Sequence, residues 1–275
     1  MSNSTSMICP NCHNLISTEE DRCPYCGTYK PNLWGIGSRF TKIFSTRIDI
    51  INLIPAVCIG LYLFSLLLDL NTALNTSGGI FDMLSPGGRA LYALGMTGGL
   101  ATYQDHWWTV LTATYLHGSL LHVLFNILWI RQLGPEVGNL YGPTRYFIIF
   151  TTGGVVGFIV SNLFSNAPTI GASGAIFGLL AALIVYGRNQ RGNLATMMTR
   201  QVWQWAIFLF IFGFLMSGVN NWAHLGGFIG GWISSQLSVG KRESRGTIFL
   251  ALVLLILTAI SFGLSLFHNW PMILA

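Results

Sequence analysis

Ser173 stands in the stretch Gly171-Ala172-Ser173-Gly174-Ala175-Ile176-Phe177-Gly178, at the head of an apolar run. A hydroxyl between small residues can be a nucleophile, because glycine lets a reacting carbonyl approach the backbone. The same small residues can instead do no more than let membrane helices pack closely. His122 and Asn126, four apart, share one helix face, and their donors suit stabilisation of an oxyanion. His224 lies a few residues inside another apolar run. Near the N-terminus, Cys9-Pro10-Asn11-Cys12 and Cys23-Pro24-Tyr25-Cys26 form two C-x2-C knuckles separated by ten residues. Each knuckle can place two thiolates on one metal, and the pair completes a tetrahedral S4 shell.

The composition says what kind of element must carry these groups. Of 275 residues, 52% are hydrophobic and 8% charged, whereas soluble domains carry roughly 25% charged residues. The chain therefore reads as a membrane protein. Its net charge of +5 arises from residues between apolar runs, so it is a topology signal and not a nucleic-acid surface. The lipid bilayer is an expected partner and nucleic acid is not. The first thirty residues are polar and do not read as a secretory signal. Cys58, alone inside an apolar run, reads as a small packing residue.

Residues 1–30 read as a short zinc ribbon, with Cys9, Cys12, Cys23 and Cys26 as ligands and Gly27 allowing the tight turn. So few residues cannot build an adequate core, and bound metal must supply the folding free energy. Zinc in a structural role is the expected ion, with iron held as in rubredoxin the alternative. Disulfide pairing would require an oxidising compartment. His13 is expected at the surface, since four cysteines fill the site, and no partner for the ribbon is legible. Residues 31–48, with Pro31, Gly35, Gly37, Arg39, Lys42 and Arg47, read as a linker to the membrane.

Apolar runs follow at about 50–70, 110–133, 145–165, 171–187, 202–217, 220–238 and 247–267, and helices of about twenty residues cross a bilayer core. Seven helices are expected. Arg39, Lys42, Arg47, Arg131, Arg145, Arg188, Arg191, Arg200, Lys241, Arg242 and Arg245 fall on one side, and Arg89 alone falls on the other. Positive residues favour the cytoplasm, which puts the N-terminus, and with it the ribbon, inside and the C-terminus outside. The long outer segment 71–109 is expected to fold onto the outer face. Trp107 and Trp108 are expected at the headgroup level.

The fourth run covers roughly 25 Å at 1.5 Å per residue, short of a hydrocarbon core of about 30 Å. Ser173 is therefore expected below the outer surface, in a water-accessible recess. Polar residues at such depth are costly and mark candidate sites. His224, near the outer start of the sixth run, matches that depth. Gly227 and Gly231 share its face, and Gly174, Gly178 and Ala182 form a matching small stripe. Close approach of these stripes would bring Ser173 within reach of His224. Structural histidines bonded to backbone or water are the plainer alternative, which three polar faces at one depth disfavour.

From about Ile50 to Gly240 the chain resembles the rhomboid intramembrane serine proteases. The resemblance is carried by Gly171-Ala172-Ser173-Gly174, Ala223-His224-Leu225-Gly226-Gly227 and His117-Gly118-Ser119-Leu120-Leu121-His122-Val123-Leu124-Phe125-Asn126. It implies an all-α polytopic membrane protein with a rhomboid-like six-helix core at 49–240, plus a seventh transmembrane helix at 241–275. It implies that Ser173 is the nucleophile and His224 the general base of a dyad. It implies an oxyanion site made by His122, Asn126 and the Ser173 and Ala172 backbone, with no cofactor for catalysis. His117 matches a family histidine that is usually structural.

The implied substrates are transmembrane proteins, cut in or near their membrane segments after reaching the site between the second and fifth helices, past Trp203, Trp205 and Phe208. The implied location is the plasma (inner) membrane of a prokaryote. Two departures stand out. Thr109 follows Trp108 where the family usually has Arg, and Phe177 stands where many relatives have a Tyr stacked on the histidine. Phe can still stack. No Asp or Glu is placed to orient His224. The alternatives are a catalytically inactive rhomboid-like protein that binds membrane clients, and a transporter or channel, which would need ionisable groups along its whole depth.

Overall fold

The computed structural model describes residues 6–9, 12–17, 20, 23–26, 50–74, 79, 82–216, 218–240 and 243–271. The expected linker 31–48, with Arg39, Lys42 and Arg47, lies outside the described residues, as do Gly27, Lys241 and Arg242. The chain forms two compact units, Met1–Asp49 and Ile50–Ala275.

In the first unit, β1 (Ser6–Ile8) pairs antiparallel with β2 (Leu15–Ser17), in the register Met7↔Ile16. The turn between them closes as the Cys9 N–H donates to Asn14 O (2.9 Å) and the His13 N–H to Cys9 O (3.0 Å). His13 is exposed, as expected, with φ of 59°. The interior consists of Ile16, Cys9 and Cys23, with Cys12 and Cys26 packed against them. Among the described residues, one isoleucine and four sulfurs make no sufficient apolar core.

The second unit is helical. α1 (Ile50–Leu68) and the short α2 (Leu70–Leu74) lead to the outer segment, which contains α3 (Gly88–Ala93), α4 (Leu100–Tyr103) and α5 (Thr109–Thr112). A 3-10 turn, Ala113–Tyr115, follows, and then α6 (Leu120–Tyr141), α7 (Pro143–Phe164), α8 (Ser173–Arg188), α9 (Asn193–Leu215), α10 (Asn221–Gln236) and α11 (Arg245–Asn269). By length and apolar character, α1, α7 and α11 can cross a bilayer. Among the described residues, the pair Thr109–Tyr115 and α6, bent by 90°, is a broken span or a re-entrant loop, and counts as a fourth crossing only in the first case. The chain is an all-α polytopic membrane protein.

Three boundaries differ from the apolar pattern. The second run is no straight span: it breaks before Leu120, where Ser119 Oγ caps α6 by accepting the His122 N–H at 3.3 Å. α6 then continues through Pro135 to Tyr141, and Gly142 at φ 87° turns the chain directly into α7. α9 begins at Asn193, so Arg200 lies inside a helix and not in a connection. Polar residues continue a helix when they sit on its exposed side, which hydropathy alone does not register.

α7 is the central helix, with 56% of its apolar window buried against 17% for α11. It packs with α8 and α10 through small residues: Gly153 faces Gly178 and Ala175, while a Cβ on Gly157 would stand 2.7 Å from Ala223 O. α8 is short, as expected, and thirteen of its sixteen residues are buried. Protein surrounds it, so its length need not match the bilayer. Cys58 is fully buried, in keeping with a packing role.

The outer segment is folded, as its length demanded. It is tied to the loop before α8 by a Thr97↔Thr169 bridge and by Gly99 N–H to Asn166 O at 3.0 Å. Thr109, which follows Trp108, is buried and donates to His106 O at 2.7 Å. Trp107 is exposed, which suits the headgroup level. Trp108 does not share that place: it is buried, and its Nε1–H donates to Ser265 Oγ on α11 at 3.0 Å. An indole buried in protein keeps its one donor paired.

Candidate active site

α8 starts at Ser173 because Gly171 takes φ of 121°, a conformation that glycine adopts without steric penalty. The Gly171 N–H donates to Ala113 O at 2.9 Å, which fixes the approach to the helix. Ala172 is the N-cap residue and offers no side-chain acceptor. The first N–H groups of α8, from Ser173 onward, therefore have no intrahelical partner and carry the positive end of the helix dipole. A partial negative charge developing beside Ser173 would meet them.

α10 is capped by Asn220, whose Oδ1 accepts the Trp222 N–H at 3.1 Å. Its glycines let it meet α8 backbone to backbone: a Cβ on Gly227 would collide with Gly174, and one on Gly231 with Gly178. The expected small stripes are thus the contact itself. Across it, His224 Nε2 lies 2.9 Å from Ser173 Oγ. Phe177, one turn after Ser173, stacks on the His224 ring at 4.5 Å between centroids and 19° between planes.

His122 and Asn126 come from the first turns of α6. The Gly118 N–H donates to His122 Nδ1 at 3.3 Å. That nitrogen is therefore an acceptor, and a neutral ring carries its proton on Nε2. Nε2 lies beside Gly171, two residues before Ser173: a Cβ there would stand 2.6 Å from it. Asn126 does not point to the same place in full: one of its amide hydrogens goes to His122 O at 2.8 Å. His117 is fully buried, lies edge-on to His122 at 5.0 Å, and has no hydrogen-bond partner among the described residues.

Asn221 was not legible as a site residue. Its Oδ1 lies 3.0 Å from His224 Nδ1. The only hint in the sequence was an amide three positions before the histidine on one helix. A cavity of about 410 Å³ borders Asn221, lined also by Pro168, Thr169, Gly213, Val219 and Trp222. Neither Ser173 nor His224 lines it, so it is not the recess expected around the serine.

On the side of α6 facing α9, two aromatic pairs bridge the helices: Trp129 with Trp205 at 5.8 Å, and Phe125 with Phe212 at 6.4 Å. Phe208 stacks on Phe212 and is mostly exposed, while Trp203 turns to Phe228 of α10.

The four N-terminal sulfurs lie within 4.8 Å of one another and can hold a metal ion. Cys9 and Cys26 are 3.6 Å apart, and Cys12 and Cys23 are 3.5 Å apart. A tetrahedron of sulfurs at a zinc–sulfur length of about 2.3 Å has edges of about 3.8 Å, so the donor set fits. Burial pushes the Cys23 thiol up to about 12, with backbone N–H groups opposing it. A cation is what would let these groups ionise together.

The rhomboid domain profile matches residues 104–241. The chain is similar to the rhomboid protease GluP of Bacillus subtilis (strain 168), with 36% identity over 58% of this chain and 32% of that protein. It thus spans about a third of that relative's length. It is 29% identical to the putative rhomboid protease YdcA of the same organism, over 53% of this chain and 74% of the relative. It is also 29% identical to the inactive RHOMBOID-like protein 8 of Arabidopsis thaliana, over 54% of this chain and 43% of that one.

Proposed function

Because the chain belongs to the rhomboid family, we propose that it is an intramembrane serine endopeptidase that hydrolyses peptide bonds in or near transmembrane segments of other membrane proteins. The observation that carries this is the 2.9 Å approach of His224 Nε2 to Ser173 Oγ. His224 takes the hydroxyl proton as Ser173 attacks the scissile carbonyl, and an acyl-enzyme forms as the amine leaves with that proton. Water, deprotonated by His224, then releases the acid. The oxyanion is met by the free N–H groups at the start of α8, with Ala172 and Ser173 nearest, and by His122 Nε2–H. Asn126 holds the His122 carbonyl and keeps one amide hydrogen for the site.

Substrates reach Ser173 between α6 and α9, whose only described ring contacts are the two aromatic pairs. In this reading the core covers 49–240, with six helices in the membrane, and 241–275 adds a seventh. The N-terminus lies in the cytoplasm and the C-terminus outside, in the inner membrane of a prokaryote. Cys9, Cys12, Cys23 and Cys26 hold zinc in a structural role, where it supplies folding free energy to residues 1–30. No cofactor acts in catalysis.

The test is to incubate the purified chain with a model transmembrane substrate, and separately with a fluorophosphonate that labels nucleophilic serines. Cleavage and labelling by the wild type, both lost in Ser173→Ala, are expected. A wild type that does neither is an inactive client-binding relative, and a Ser173→Ala variant that still does both has its nucleophile elsewhere.

A further inference from the structure

We infer that Asn221 is the positioning residue for His224, and that Gly213 on α9 is the seat that holds it there. The inference rests on the protease reading above. His224 Nε2 can accept the Ser173 proton only if the ring proton resides on Nδ1. Asn221 Oδ1, 3.0 Å from Nδ1, accepts that proton and favours this tautomer. The opposite arrangement, with the amide nitrogen facing Nδ1, would put the ring proton on Nε2 and leave the ring unable to act as a base. An amide carbonyl thus takes the place that a carboxylate holds in a three-residue constellation.

Phe177 cannot do this work. It stacks on the ring at 19°, which fixes the plane of the imidazole but leaves it free to present either nitrogen to Ser173. Asn221 removes that freedom. It shares α10 with His224, so the two side chains move together.

The seat comes from another helix. A Cβ on Gly213 would collide with Asn221 Oδ1 and stand 3.1 Å from its Cγ and from Val219 Cγ1. The absence of a side chain at Gly213 leaves the amide oxygen the space it occupies. α9 is also the helix whose Trp205 and Phe212 close the proposed substrate path with Trp129 and Phe125. Movement of α9 to admit a substrate is therefore felt at Asn221, and through it at the base.

The experiment uses the full chain in lipid nanodiscs, a model transmembrane substrate, and the variants Asn221→Ala, Asn221→Asp and Gly213→Ala. Asn221→Ala is expected to lower kcat about 10–100-fold with KM changed less than about twofold, since the residue touches the histidine and not the substrate. Asn221→Asp restores an oxygen acceptor for Nδ1–H and recovers most of kcat. Gly213→Ala lowers kcat in the same direction and adds nothing further in combination with Asn221→Ala, as two changes acting through one contact should. Helix α10 keeps its cap in all of these, because Asn220 supplies it. Wild-type kcat in Asn221→Ala, or an Asp variant as slow as the Ala variant, overturns the inference while leaving the protease reading standing. A wild type that neither cleaves nor labels removes both.

Discussion

A Cβ built on Gly171 would stand 2.6 Å from His122 Nε2. The residue two before Ser173 is thus kept small by the imidazole it faces, as well as by its own φ of 121°. Gly171→Ala should displace His122 and strain the start of α8 together. A fall in fluorophosphonate labelling rate of about 100-fold or more is expected, with the variant still extracted as a folded membrane protein. Labelling at the wild-type rate would mean that the close approach has no bearing on the site.

His122 and Asn126 should differ in consequence although they share a helix face. His122→Ala removes a donor that lies beside Gly171, and kcat should drop about 100–1,000-fold. Asn126→Ala removes a group with one hydrogen already committed to His122 O, and its loss should be smaller. Steady-state cleavage of one substrate by both variants settles the order. An Asn126 effect larger than that of His122 contradicts the geometry.

The outer segment should hold more weakly in acid. His106 stacks on Trp108 at 4.6 Å and lies 5.8 Å from the ring of His268. Burial, and then His268, lower His106 below the ordinary value of 6.5, with Asp105 opposing. The unfolded chain therefore binds the proton more readily than the folded one. This contribution to stability is complete above about pH 6.5 and is lost as the pH falls through the lowered folded value. The thermal midpoint should drop on the order of a few degrees between pH 7.5 and pH 5, and His106→Gln should flatten that slope. An unchanged slope in the variant assigns the acid sensitivity elsewhere.

The four cysteines should bind about one metal ion per chain, measured by elemental analysis. Changing Cys9 and Cys12 to Ser together should release it and unpair β1 from β2, because among the described residues Ile16 is the one apolar side chain in that interior apart from the cysteines. Labelling of Ser173 should survive. Its loss would show that the metal module governs the membrane site.

Much of this was open to reading from the residues. The shortness of the apolar run after Ser173 was legible, and α8 is indeed a sixteen-residue helix. The facing stripes of Gly174, Gly178, Gly227 and Gly231 followed from helical spacing, and these residues do meet. The cysteine knuckles were legible because two residues of spacing suffice to aim two sulfurs at one point. Helix ends were harder to read. Polar residues such as Asn193 and Arg200 prolong α9 beyond its apolar run, and Trp108 left the membrane surface for Ser265, 157 residues away in the chain.

The chain's own residues determined the chemistry on offer: a serine, two histidines and an asparagine expected at one depth, and four thiols near the N-terminus. Local spacing and hydropathy encode these, because each depends on residues within one or two helical turns. The far side of each histidine meets a partner three or four residues away; what the free nitrogen meets was decided only by the tertiary structure, which brings Ser173 Oγ to His224 Nε2 from 51 residues away. Gly118 takes Nδ1 of His122 and leaves its Nε2 to donate. In the proposed arrangement Asn221 Oδ1, 3.0 Å from Nδ1 of His224, leaves its Nε2 to accept. In the proposed mechanism the two imidazoles take opposite roles, because a ring's tautomer follows the partner on its far side, while packing of α8 against α10 supplies the serine that the free nitrogen of His224 meets.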